Sequence, residues 1–256
     1  MNGELIILGC GYSLGVPRID GFWGKCNKNN KKNLRSRCSA VIKKGTNNIL
    51  IDTSPDIRNQ LNNNKIQNIS SVIYTHEHSD QTNGLFELRP FYWKNKKPID
   101  IYGSRKTIKS LKERFSFCFE NKKNYPAIVK SHIVKKKFSL GSSKSKIKFS
   151  SINVKHGVTN SIIYIFEKLA YVSDCNDLSI VNFMSLKNLN CLVIDCLKID
   201  NNFAHFTLEQ CLFINEMLKP KKMVLTNLHT DLDYDFLLRI LPKNVLPAYD
   251  GLKINL

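Results

Sequence analysis

A chain of 256 residues with 42% hydrophobic content has ample length for a packed core, in one large domain or two small ones, and the ordinary make-up of a soluble globular protein. Lys and Arg number 39 against 21 acids, but this net charge of +18 is spread along the chain with asparagine, as in residues 27–33 and 62–65; it favours anionic substrates without marking out a nucleic-acid stripe. No run approaches the ~18 apolar residues of a membrane span. The Leu5–Leu8 run lacks the basic leader and long apolar core of a signal peptide, and the eight cysteines form no Cys-x-x-Cys pair, so reduced buried thiols and a cytoplasmic location are expected.

Short runs rich in Ile and Val, bounded by turn residues, predict strands at Glu4–Leu8, Ser39–Lys43 and Asn48–Ile51. Ser54 as N-cap and Pro55 at the first helical position open a predicted helix over Pro55–Asn62. Strands follow at Val72–Tyr74 and Ile99–Tyr102, then a helix over Ser104–Phe115 with apolar residues at 108, 111 and 115. Ile128–Ile133 and Ile147–Val154 are strands, and the basic stretch Lys135–Lys148 reads as a hairpin or surface loop rather than a domain boundary. Ile162–Phe166 and Ala170–Ser173 are strands, Asn176–Leu186 a helix, Cys191–Asp195 a strand, Thr207–Leu218 a helix, Met223–Thr226 a strand, and Asp233–Leu241 a helix stopped by Pro242. With no Pro- or Gly-rich linker and no usable repeat, a single α/β domain over residues 1–256, with two sheets and outer helices, is expected.

The chemistry-bearing stretch is Val72–Leu85, VIYTHEHSDQTNGL. An apolar strand ends in His76, His78 and Asp80, which at spacings i, i+2 and i+4 share one side of an extended backbone. Two imidazoles and a carboxylate on one side are metal ligands by type. His156, Asp174 and His229 each sit just past a later predicted strand. Taken singly each suits a surface or capping role; as a series at successive strand ends they suit one metal site. His132 lies within a predicted strand and reads as structural or exposed.

These residues, with LGCGYSLGVPRIDGFWGKC, NILIDTSPDIRNQL, YVSDCND, HFTLEQ and TNLHTDLDYD, resemble the metallo-β-lactamase-fold hydrolases over nearly the whole chain. Within them the chain looks most like the phosphoribosyl cyclic phosphate phosphodiesterase branch, itself related to the tRNA 3′-processing endonucleases. The resemblance implies an αβ/βα four-layer sandwich and one or two divalent metal ions, zinc or manganese. It places His76, His78 and His156 on a first metal, Asp174 as a bridge, and Asp80 and Asp174, with His229, on a second. His205 becomes a proton donor or acceptor and, with Asp80, a catalytic residue. Asp52 is either a partner for a ligand imidazole or a turn former after its strand.

The chain also departs from the family pattern. Gln81 stands where most relatives have histidine after the Asp, and Thr226-Asn227-Leu228-His229-Thr230 replaces a Thr-His-x-Ser-His segment. Only Cys26 remains near the GVP segment, so a structural cysteine–zinc site is not expected. The expected activity is hydrolysis of a small cyclic or nucleotide-like phosphate by water activated on a metal, with Arg18, Arg35, Arg37 and Arg89 as candidate anion clamps. The alternatives are a tRNA 3′-processing-type nuclease and an accessory or binding protein with a depleted metal site. A small anionic phosphate is the expected partner; nucleic acid ranks below it, no membrane is expected, and a homodimer is compatible with the sequence.

Overall fold

Successive residues of the first strand serve two different cores: Leu5 and Ile7 pack into one, Ile6 and Leu8 into another. The same alternation recurs in Cys191–Asp195, where Val193 faces the first of these cores and Leu192 and Ile194 a third. Period-two side chains buried on both faces are the signature of a sheet covered on both sides. Burying each Ile or Leu in this way contributes roughly 1.5–3 kcal/mol.

The computed structural model describes residues 3–256 apart from residues 124, 180 and 182. The elements are β1 (Gly3–Gly9), β2 (Ser39–Lys44), β3 (Asn47–Ile51), α1 (Ile57–Asn63), β4 (Ser71–Ile73), α2 (Ser79–Thr82), α3 (Arg89–Asn95), β5 (Ile99–Gly103), α4 (Arg105–Arg114), α5 (Ser116–Phe119), β6 (Val129–Ile133), β7 (Lys137–Leu140), β8 (Ile147–His156), β9 (Thr159–Phe166), β10 (Leu169–Val172), β11 (Cys191–Asp195), α6 (Leu208–Leu218), β12 (Lys222–Thr226), α7 (Tyr234–Ile240), β13 (Val245–Pro247) and β14 (Leu252–Asn255). One sheet runs β14-β1-β2-β3-β4-β5-β6 and the other β13-β12-β11-β10-β9-β8-β7. In each sheet one half is antiparallel and the other parallel, with β3 to β6 parallel in the first and β10 to β13 in the second. The central core joins the two sheets; the outer cores seat α1 and α4 on the first sheet and α6 and α7 on the second. The result is the αβ/βα sandwich expected from the family resemblance.

Lys135–Lys148 forms a hairpin, with β7 paired to β8 from Lys137↔Ser150 to Leu140↔Ile147. The helix expected over Ser104–Phe115 is α4, where the Ser104 side chain caps the N-terminus by accepting the Thr107 N–H. Two helical expectations need correction. The first helix begins at Ile57, because the Ser54 hydroxyl accepts the Asp56 N–H at 3.1 Å and holds a turn ahead of it. The helix expected over Asn176–Leu186 reduces, among the described residues, to one 3₁₀ turn at Phe183–Leu186; residues 180 and 182 lie outside them. Asp177 accepts the Ser179 N–H at 2.7 Å, a local bond that competes with helix formation.

Three strand ends that matter to function turn by the same device. Asp52 after β3, Asp174 after β10 and Asn227 after β12 have φ of 60°, 45° and 64°. Asp and Asn tolerate this left-handed conformation better than other non-glycine residues. Each abrupt turn follows a strand end, and the ends of β3, β4, β10, β11 and β12 meet along one edge of the sandwich.

Candidate metal centre

His76, His78, His156 and Asp174 each offer one ligand atom, and these atoms lie within 4.8 Å of one another. His76 follows β4 of the first sheet, whereas His156 ends β8 and Asp174 follows β10 of the second. Asp174 Oδ2 stands 3.6 Å from both His76 Nε2 and His156 Nε2. His78 Nδ1 lies 3.2 Å from His156 Nε2.

The Nδ1 atoms of His76 and His156 are held from behind. Asp52 accepts the Thr75 N–H and hydroxyl, both at 2.8 Å, and the Thr75 oxygen lies 3.0 Å from His76 Nδ1. His156 Nδ1 lies 2.8 Å from the Ala204 carbonyl, which can only accept. These partners put the ring proton on Nδ1 and turn the Nε2 lone pair inward. Asp52 is therefore both turn former and imidazole support. Glu77, between the two histidines, points away and pairs with Lys106 at 2.6 Å and the Thr159 hydroxyl at 2.7 Å, tying the ligand loop to α4 and β9.

The donor set fits a divalent metal. His76 Nε2 is buried with no hydrogen-bond partner, and the facing ring nitrogens of His78 and His156 need a cation or a shared proton between them. Burial, with the neighbouring His156 and His78 charges, outweighs Asp174 and pushes His76 down to about 3, leaving it neutral and ready to ligate at pH 7. The fold itself suggests divalent metal ions.

Asp80 and His229 lie outside the group of four. The i+4 argument fails for Asp80 because the chain turns into α2 directly after His78. Asp80 still faces Asp174 across the site, and burial plus that carboxylate push it up to about 6. His229 turns its Nδ1 to Asp231 at 3.1 Å and its ring against Tyr12. Asn227 stands beside Asp174 in its place, with Nδ2 3.3 Å from Asp174 Oδ1.

His205 ends up next to His156, ring centroids 4.7 Å apart, with its Nδ1 2.8 Å from Asp195 Oδ2. Burial alone would lower its pKa, but Asp195, with Asp174 and Asp80, pushes it up to about 9. Asp195, at the end of β11, is a site residue that sequence reasoning missed; its signal was an Asp closing an apolar strand, as in Asp52. His78, Asp80, His156, Asp174 and His205 line a cavity of about 320 Å³. A larger one of about 520 Å³ beside Val16 and Pro17 holds none of the histidines, so size does not locate the chemistry here.

The other candidates have structural partners. His132 pairs with Asp100 at 2.7 Å on the first sheet. Arg18 pairs with Asp20 and Arg37 with Asp56, Arg35 is buried against the Leu232 and His229 carbonyls, and Arg89 lies over the rings of Phe86, Trp93 and Tyr125. No described helix is long and apolar enough to cross a membrane.

The β-lactamase superfamily domain model matches residues 47–227. A solved diphosphatase of the PhnP family is 30% identical, with 100% of this chain and 98% of that chain covered and a TM-score of 0.91. Zn(2+)-bound PqqB from Methylobacterium extorquens (15% identity, 99% and 100% covered, TM-score 0.81) and the short form of human tRNase Z (15%, 98% and 98%, 0.68) share the fold. A curated octanoyltransferase from Porphyromonas gingivalis (strain ATCC BAA-308 / W83) is 27% identical over 251 residues, 97% of this chain and 50% of that protein. The chain thus spans about half the length of the curated relative it matches. By the family match and the 30% identity, the chain belongs to the β-lactamase superfamily, as a metallo-β-lactamase-fold hydrolase close to the PhnP branch.

Proposed function

We propose that this protein hydrolyses a phosphodiester or diphosphate bond in a small cyclic or nucleotide-like phosphate. The carrying observation is that the His76–His78–His156–Asp174 group and the His205–Asp195 pair meet at one cavity. The 30%-identical relative is described as a diphosphatase, which supports the reaction class. His76, His78, His156 and Asp174 would hold a zinc or manganese ion; when bound, it supplies Lewis acidity and lowers the pKa of water toward ~7. Asp80, which lines the cavity beside Asp174, is placed to accept a proton from the attacking water. His205, kept protonated by Asp195, gives its proton to the leaving oxygen. One P–O bond forms as the other breaks, and each released charge has a partner. The net charge of +18 draws an anionic substrate toward the site.

The transferase name belongs to a protein about twice as long. The thiol beside this site, Cys38, is pushed well up by burial and by Asp174, which does not suit an acyl-carrying nucleophile. The test is an assay of zinc- and manganese-loaded protein against cyclic phosphodiesters, linear phosphodiesters, diphosphates and RNA with a 3′ trailer. Turnover of the small phosphates is expected. Cleavage of trailer RNA alone would favour the nuclease reading, and bound metal without any hydrolysis would favour an accessory protein.

A further inference from the structure

The cavity that holds the histidines has two unlike walls. His78, Asp80, His156, Asp174 and His205 form the reactive one. Tyr12, Ser13, Leu197, Asn202 and Phe203 form the other, and none of these five carries a charge. Among the described residues no lysine or arginine lines the cavity, in a chain that has 39 of them. Phe203 is 77% exposed, although the next two residues are tied down: the Ala204 carbonyl to His156 and the His205 ring to Asp195. The Phe203 ring rests against Gly157 (φ 55°), where a Cβ would come within 3.0 Å of the ring carbon Cε2, so glycine leaves the ring its seat. Asn202 Oδ1 accepts the Ala204 N–H at 2.8 Å and braces the loop that carries the ring. Asn202 Nδ2 and the Ser13 hydroxyl make no hydrogen bond to the described residues.

We propose that this neutral wall takes a nucleoside, with its base stacked on Phe203, so that the substrate is a nucleotide ester with no phosphate monoester beyond the reacting group. Every base has a flat π face, and stacking on an aromatic side chain needs no base-specific hydrogen bond. The Ser13 hydroxyl and Asn202 Nδ2 are polar groups of the kind that fix a ligand's orientation in a largely apolar pocket, and sugar hydroxyls can pair with both. A second phosphate monoester fits this wall badly. It would bring close to two negative charges against Tyr12, Leu197 and Phe203, and a charge taken out of water without a partner is costly. The 5-phosphate of a phosphoribosyl cyclic phosphate would meet that cost, whereas the base of a nucleoside would gain a stacking surface. The chain thus parts from the branch it resembles at the uncharged end of the substrate. The inference rests on the phosphoester-hydrolase reading of this site and names its substrate class.

The first experiment reads binding alone. Zinc-loaded natural protein, Phe203→Ala and Phe203→Trp are titrated by calorimetry with adenosine 5′-monophosphate and with ribose 5-phosphate, which share a phosphate and differ in the base. The natural protein should hold the nucleotide at least roughly 5-fold more tightly than the sugar phosphate. Phe203→Ala should lose that margin with no change in Tm or in affinity for ribose 5-phosphate, and Phe203→Trp should keep it. Turnover then compares adenosine 2′,3′-cyclic phosphate with 5-phosphoribosyl 1,2-cyclic phosphate. The natural protein should favour the first in kcat/KM, and Phe203→Ala should erode that preference through KM rather than kcat. Equal affinity for the two monophosphates would overturn the proposal. So would a Phe203→Ala variant that keeps the margin, or faster turnover of the 5-phosphorylated compound. Base-dependent binding through Phe203 with no hydrolysis of any phosphoester would support the nucleoside position and remove the hydrolase reading instead.

Discussion

His205 is pulled in two directions: burial favours the neutral ring, and Asp195 at 2.8 Å favours the charged one and wins. Asp195→Asn keeps the shape and removes the charge, so burial should then act with less opposition. Nuclear magnetic resonance of the metal-free protein should show His205 titrating near 9 in the natural chain and well below that in the variant. Because the folded pKa is raised above the ordinary 6.5, the stability this pair contributes is fully present below about pH 6.5 and is lost as pH rises through about 9. Denaturation midpoints at pH 6 and pH 10 should therefore differ less in Asp195→Asn than in the natural protein. His205→Ala should retain metal and lower kcat by ~10²–10⁴-fold, with partial recovery on a substrate whose leaving group needs no proton. Loss of metal in that variant would make His205 a ligand rather than an acid.

At the scale of elements, α6 holds the His205 segment in register. Thr207 accepts the Gln210 N–H at 3.3 Å, and Gln210 Oε1 accepts the Thr207 N–H at 2.9 Å, a reciprocal cap. Thr207→Ala should cost about 1 kcal/mol, read as a lower urea midpoint with unchanged slope and unchanged zinc content. This helix was legible in the sequence because its length displays an apolar face. The long Ile- and Val-rich strands were legible for a similar reason. The four-residue α2 and α5 are too brief to show a period. Of the site, His76, His78, His156 and Asp174 were readable as ligand types at strand ends. The turn into α2 that carries Asp80 to the cavity was not foreseen, and a histidine in sequence gives no sign that its ring will face Asp231, as His229 does. Asp195 and Thr75 act through partners distant in sequence, which a one-dimensional pattern does not display.

At the scale of the molecule, the ligand group is a joint between the sheets. His76 comes from the end of β4 in one sheet, and His156 and Asp174 from β8 and β10 in the other. Without a metal, three imidazoles meet in a pocket where His76 Nε2 has no partner. A bound metal would engage that atom and add a tie to those the central core and the Glu77–Thr159 bond already make between the sheets. A metal that binds only the folded chain stabilises it by about 4 kcal/mol at a thousand times its Kd. For a domain of this size each kcal/mol moves Tm by roughly 2–4 °C, so full metal removal should lower Tm on the order of 10 °C. Thermal melts with and without chelator, followed by zinc add-back, give the size of the effect. The double variant His76→Ala with His78→Ala supplies the control. It should fold, melt near the chelated natural protein, and gain nothing from zinc. If the natural protein melts at the same temperature with and without chelator while zinc is shown to bind, the metal does not join the sheets. If the double variant still gains stability from zinc, the ion sits elsewhere in the molecule.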